Sequence, residues 1–187
     1  MVEQLPARIA AFHAWAAARN WPAVCDPALA FEAPPLAGLL AIWREHAGAA
    51  GIPERAALTA RVLKAHLGTI AIIERASGPA PRYRVRLLGS RLAQITGEMQ
   101  GKFLDDVLEP EVVPHWGARI DLTLAEQCPL RFVSRVDIHH MQHLRSESLW
   151  APLAANGVTD RLVLMGANLT FNAFMPADYA AIAARNA

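Results

Sequence analysis

Residues 67–103 read LGTIAIIERASGPAPRYRVRLLGSRLAQITGEMQGKF, and this stretch decides the fold. Two β-type runs flank a turn at Gly78-Pro79. The first, 67–76, is apolar on both faces, with Ile70 and Ile72 opposite Ala71 and Ile73. That predicts a central strand covered on both sides. In the second run Tyr83, Val85 and Leu87 alternate with Arg82, Arg84 and Arg86, which predicts a strand with one wet face. Leu88-Gly89-Ser90 then opens a short helix that Gly97 closes, and Gly101-Lys102-Phe103-Leu104 follows. A chain that leaves a sheet and crosses over it in short helical pieces encloses a pocket between helices and sheet. That is the layout of a small sensor domain, and not that of a typical hydrolase or nucleotide-binding enzyme.

Outward from this core, residues 5–20 read as a helix, with Leu5, Ile9, Phe12 and Ala16 on one face and Trp15 beside them. Pro22, Pro27, Pro34 and Pro35 mark 22–35 as a linker. A second helix over 36–50 carries Leu36, Leu39, Leu40 and Trp43 on one side, and 54–66 is helical or irregular. The longest internal helix is predicted over 110–127, with Val113, Trp116, Ile120 and Leu124 as its buried stripe. Three strands follow. The first has Leu130, Phe132, Val136 and Ile138 on one face with Ser134 between them. The second covers 143–153, Asn156-Gly157 signals a tight turn, and the last strand runs over 162–171. A terminal helix is expected at 177–185. The count is five strands in an antiparallel α+β sheet whose first and last strands are central neighbours. The internal helices cover one sheet face, leaving the other to the N-terminal helices or a second subunit.

The 187 residues suit one domain with an extension. Hydrophobic residues make up 53% and charged residues 19%, enough for a sizeable core and too apolar for disorder. A formal net charge of +1 gives no bulk case for nucleic acid or an anionic membrane as partner. Cys25 and Cys128 lack CxxC spacing and read as free thiols of a reducing compartment. No run of about 20 uninterrupted apolar residues predicts a membrane span. A soluble, cytoplasmic protein is expected.

The text LLAIWRE at 39–45, RYRVRLLGSRLAQITGEMQGKFLDDV at 82–107 and SLWAPLAANGVTDRLVLMGANLTF at 148–171 resembles the PAS domain. More narrowly it resembles the bacterial stand-alone group called type 5. The resemblance implies a five-stranded antiparallel sheet with short helices on one face. It divides the chain into an N-terminal helical extension and linker (1–35), a PAS-like domain (36–175) and a C-terminal helix or tail (176–187). It implies a non-catalytic sensory or regulatory role in bacterial signalling, through a small ligand, a partner protein, or homodimerisation as a scaffold without ligand. The group carries an acidic proline element ahead of its first strand. Here 52–68 reads IPERAALTARVLKAHLG instead, so the entry to that strand is expected to be built differently.

Candidate chemistry is sparse. His139, His140 and His143 cluster as HHMQH and invite a metal reading. Neighbours on a strand face opposite ways, and a solvated hairpin turn competes with that reading, which leaves His139 and His143 as weak candidates. His115, on the long helix, is where a haem-binding PAS domain would offer an axial ligand. The pocket helix GSRLAQITG has no cysteine for covalent flavin chemistry. The sequence names no cofactor. The stripe of Arg82, Arg84 and Arg86 reads as a wet strand face partnered by Glu74 or aspartates. Nothing resembles a nucleophile elbow, a zinc-protease motif or a phosphate loop.

Two expectations concern sites. A ligand pocket should lie between the inner sheet face and 90–124, lined by Tyr83, Val85, Leu92, Ile95, Phe103, Val107, Trp116, Ile120, Phe132, Trp150 and Met165. These are almost all apolar, which favours a small hydrophobic ligand; the competing reading is that they pack together as core. A homodimer should use Leu5, Ile9, Phe12 and Trp15, with helix 5–20 on the sheet face away from the pocket helices.

Overall fold

The computed structural model describes residues 4–47, 51–136, 138, 141 and 143–171. In chain order these form α1 (Gln4–Ala17), β1 (Ala23–Asp26), α2 (Pro34–Ala47), β2 (Ile70–Ala76), β3 (Arg82–Leu88), α3 (Ser90–Thr96), α4 (Val113–Glu126), β4 (Leu130–Arg135), β5 (Arg145–Ala155) and β6 (Val158–Thr170). The sheet is antiparallel, in the order β1-β4-β5-β6-β2-β3. As the sequence predicts, β2 and β6 are central neighbours, with Ile70 opposite Gly166 and Ile73 opposite Val163. The terminal helix expected at 177–185 lies outside the described residues.

Among the described residues the strands number six rather than five. Ala23-Val24-Cys25-Asp26, read as linker, pairs with β4, Cys25 opposite Phe132 and Asp26 opposite Arg131. All four residues are buried. Prolines at 22 and 27 flank the strand without interrupting it, so they bound it rather than exclude it.

Each sheet face buries its own core. One gathers Ala71, Ile73, Tyr83, Val85, Phe132, Trp150, Val163 and Met165 beneath α1, α3 and α4. The other gathers Ile70, Ile72, Leu149, Ala151, Leu153 and Leu164 beneath Leu36, Leu39, Leu40 and Trp43 of α2, together with Leu58 and Leu63. A bulge between Ile72 and Ile73 shifts the pairing with β3. It places Tyr83 and Val85 on the first face and Leu87 on the second.

Helix α1 therefore lies on the pocket-helix side, contrary to expectation. Its stripe is read correctly: Ile9, Phe12 and Ala16 are buried. Phe12 packs edge-on against Phe132 at 5.3 Å and Trp21 at 5.9 Å, and Arg8 pairs with Glu126 at the end of α4 (2.9 Å). Only residues 18–22 separate α1 from the edge strand β1, and α2 occupies the opposite face. Short reach and an occupied face fix the side. Ile9 and Phe12, offered as dimer contacts, are thus spent inside their own chain, while Leu5 and Trp15 are half-buried against the same core.

The unusual segment before β2 is sewn onto the β5–β6 hairpin. The Ala154 N–H donates to the Pro53 carbonyl (2.9 Å), and the Arg55 N–H donates to the Ala154 carbonyl (2.7 Å). The Glu54 carboxylate accepts the N–H groups of Asn156 (3.1 Å) and Gly157 (2.8 Å). Both turn residues have positive φ, 53° and 78°, which is the two-residue turn their sequence signals.

Candidate functional site

A partly enclosed cavity of about 70 Å³ lies between α3, α4 and the face of β4, β5 and β6. Leu92, Ile95 and Thr96 line it from α3, and His115, Trp116 and Arg119 from α4. Ser134, Ser146, Ser148, Trp150 and Met165 line it from the sheet. Trp21, from the turn between α1 and β1, closes one end.

The geometry follows from two periodicities. His115, Trp116 and Arg119 sit three and four residues apart on α4 and therefore share a side. Ser134 faces Ser146 directly across β4 and β5, and Ser148 lies two residues further along β5. Alternation turns all three hydroxyls, and Trp150, toward the helices.

Arg119 sits at the polar end and is only 8% exposed. It donates to Ser134 Oγ at 2.6 Å. Its guanidinium lies 4.5 Å from the Trp21 ring and 5.8 Å from the Trp150 ring, within cation–π range. His115 stacks parallel on Trp21 at 4.1 Å, and Trp15 meets the same imidazole edge-on. Trp150 donates its indole N–H to Ser148 Oγ (2.9 Å) and packs edge-on against Trp116 at 5.8 Å.

Of the residues expected to line the pocket, Leu92, Ile95, Trp116, Trp150 and Met165 do so. Val85, Ile120 and Phe132 are fully buried core beside it, as the competing reading has it. Tyr83 is buried on the right face but donates its hydroxyl to Asp121 (2.7 Å); burial, then that bond, push its pKa up. A side chain at position 117 would strike the Tyr83 ring at 2.9 Å, so Gly117 admits the tyrosine against α4. Phe103 lies beneath the Arg82 guanidinium at 4.1 Å, and Val107 packs against the core edge. Both sit nearer the sheet margin, because the segment after α3 returns to β3, where the Val85 N–H meets the Lys102 carbonyl.

Sequence reasoning misses the polar end of the cavity. The stripe on α4 was built from apolar residues, which hides Arg119. Its spacing of three from Trp116 is the available signal. The almost wholly apolar lining expected from the sequence therefore gains a polar end.

The opposite face holds a second buried arginine. Arg131, fully buried, pairs with Asp26 (2.9 Å), Glu147 (2.6 Å) and Glu32 (3.1 Å). Glu147 also accepts the N–H groups of Glu32 and Ala33, both at 2.8 Å, just ahead of α2. Arg145 shares the Glu32 carboxylate (2.9 Å), and that bond is the main cause holding Glu32 below the usual carboxylate range.

His139 and His140 lie outside the described residues. His143 is exposed in a turn, its ring stacked on Phe171. No group of three potential metal ligands occurs among the described residues. Two of the three stripe arginines are partnered as expected, Arg82 with Asp105 (2.7 Å) and Asp106 (2.8 Å) and Arg86 with Glu74 (3.5 Å), while Arg84 donates to the Gly101 carbonyl (2.9 Å). Neither cysteine is held in a disulfide, and burial pushes both thiols up. No described helix is long and apolar enough to cross a membrane.

No curated protein matches the chain. A family model described as PAS domain matches residues 31–167, the span from the lead into α2 through most of β6. With the sheet order and cavity in place, the match makes the chain a member of the PAS-domain family, in its type 5 group.

Proposed function

We propose that this protein is a non-catalytic sensory PAS domain that takes a small, largely apolar molecule into the cavity between α3, α4 and the sheet. PAS domains are in general sensory and regulatory modules. The observation carrying the ligand reading is the cavity itself: between α3, α4 and the sheet the first face keeps about 70 Å³ of lined space. Well-packed interiors hold few such voids, and ligand sites are concave, mostly apolar and sparsely polar. Trp21, which lies outside the family match, supplies one wall, so the N-terminal segment is positioned to report occupancy to a partner protein.

Leu92 is 4% exposed and lines the cavity from α3. A Leu92→Trp substitution fills the space. The expected result is a folded variant that no longer binds a hydrophobic fluorescent probe taken up by the parent protein. Undiminished probe binding by folded Leu92→Trp protein would overturn the assignment.

A further inference from the structure

Of the described residues ahead of the family match at 31–167, only Trp21 lines the cavity. We propose that Trp21 is the specificity-determining residue of this cavity, a fixed stop that limits the length of the ligand. This rests on the ligand-binding reading and specifies which residue sets the size of molecule admitted.

A wall must be held in place. Trp21 is 2% exposed. From α4, His115 stacks parallel on its indole at 4.1 Å and the Arg119 guanidinium lies over it at 4.5 Å. From α1, Phe12 and Trp15 meet it edge-on at 5.9 Å and 5.8 Å. Such ring contacts favour one orientation over others. The backbone is tied on both sides: the Trp21 N–H donates to the Ala16 carbonyl (3.0 Å), and the Pro22 carbonyl accepts the Arg135 N–H of β4 (3.1 Å). Pro22 also steers the residue before it toward extended backbone. A side chain anchored from α1, α4 and β4 is a stop rather than a swinging gate. Size gives the consequence. A cavity of about 70 Å³ holds a molecule of roughly five to seven heavy atoms, at about 10–15 Å³ for each water-sized group. Each methylene buried in apolar space raises affinity about fourfold, and one that finds no room adds nothing. Truncating Trp21 extends the cavity toward Phe12 and Trp15, so the added room is apolar.

The test is a series of straight-chain primary alcohols, from butanol to decanol, displacing a hydrophobic fluorescent probe from the full chain. In the parent protein affinity should rise about fourfold per carbon and level off near hexanol. In Trp21→Ala the rise should continue for at least two further carbons, and in Trp21→Phe for one. A break at the same chain length in the parent and in the folded variants would overturn the assignment of Trp21 and leave the ligand-binding reading standing. So would a parent affinity that climbs without a break to decanol. Displacement by no alcohol would overturn the length limit, and joined to undiminished probe uptake by Leu92→Trp it would remove the ligand-binding reading as well. Trp21→Phe, which keeps an aromatic ring against His115, decides the matter where Trp21→Ala does not fold.

Discussion

The two faces of the sheet solve the same problem differently. Both are covered by helices, and both bury an arginine. On the α2 face Arg131 pairs with Asp26, Glu147 and Glu32, on the side of the sheet that carries the aliphatic core under α2. On the α4 face Arg119 meets Ser134 and two indoles beside open space. An arginine ringed by carboxylates organises the chain: here it joins β1, β4, β5 and the lead into α2. An arginine that packs on indoles and bonds a serine at the edge of a cavity instead shapes the wall of that space. Where a charge sits says less about its role than what surrounds it.

The comparison breaks most easily at Arg131. Replacing it with methionine leaves Asp26 and Glu147 buried beside an apolar group, and losing one partner of a buried pair typically costs about 3–5 kcal/mol. Denaturant unfolding of Arg131→Met should show a loss of that size. A loss below about 1 kcal/mol would mean that the network is not what holds β1 and α2 to the sheet.

A smaller contrast separates the two cores. Leu39 is buried between α2 and the sheet, and Leu39→Ala should cost about 3 kcal/mol through lost burial and a new void. Leu92 already borders open space, so Leu92→Ala should cost less, about 2 kcal/mol. Equal losses in the same unfolding experiment would argue that the first face is as tightly packed as the second.

The smallest effect is on pH. His13, on α1, accepts the Cys25 N–H of β1 through Nε2 at 3.0 Å, a bond that needs the neutral ring. Burial lowers its pKa below the ordinary 6.5, and burial does the same to His66. As pH falls below 6.5 the unfolded chain takes up protons that the folded chain refuses, so stability is full above that value and declines beneath it. Melting temperature should therefore fall between about pH 7.5 and 5.5, with a shallower fall in His13→Gln. An unchanged slope in the variant would assign the pH response to other groups.

Much of this architecture is legible in the residues. The two-faced apolar runs at 70–73 and 163–165 place β2 and β6 at the centre, and Asn156-Gly157 fixes the β5–β6 turn. Alternation puts Tyr83 and Val85 on the correct face, although the bulge at Ile72 sends Leu87 to the other, and no local pattern announces a bulge. The side on which α1 lies is set by the short connection to β1, a strand of four residues hidden between prolines. Arg131, Asp26 and Glu147 are scattered over the sequence and meet only through strand pairing, so no spacing reveals them. Half of the candidate site was within reach because its apolar lining follows helix and strand periods. Its polar end was not, because a buried stripe searched for by hydrophobicity passes over an arginine and three serines.

The most direct test of the account compares the faces within one spectrum. The chain has five tryptophans. Trp21, Trp116 and Trp150 line the cavity, whereas Trp43 donates its indole N–H to the Pro152 carbonyl on the α2 face (2.8 Å). In nitrogen-15 NMR of the indole N–H groups, titration with hexanol should shift the signals of Trp21, Trp116 and Trp150 in a saturable way and leave Trp43 fixed. Cavity indoles that stay still, or a Trp43 signal that moves as far as theirs, would contradict the claim that one face of this sheet is built to receive a ligand and the other to hold the fold.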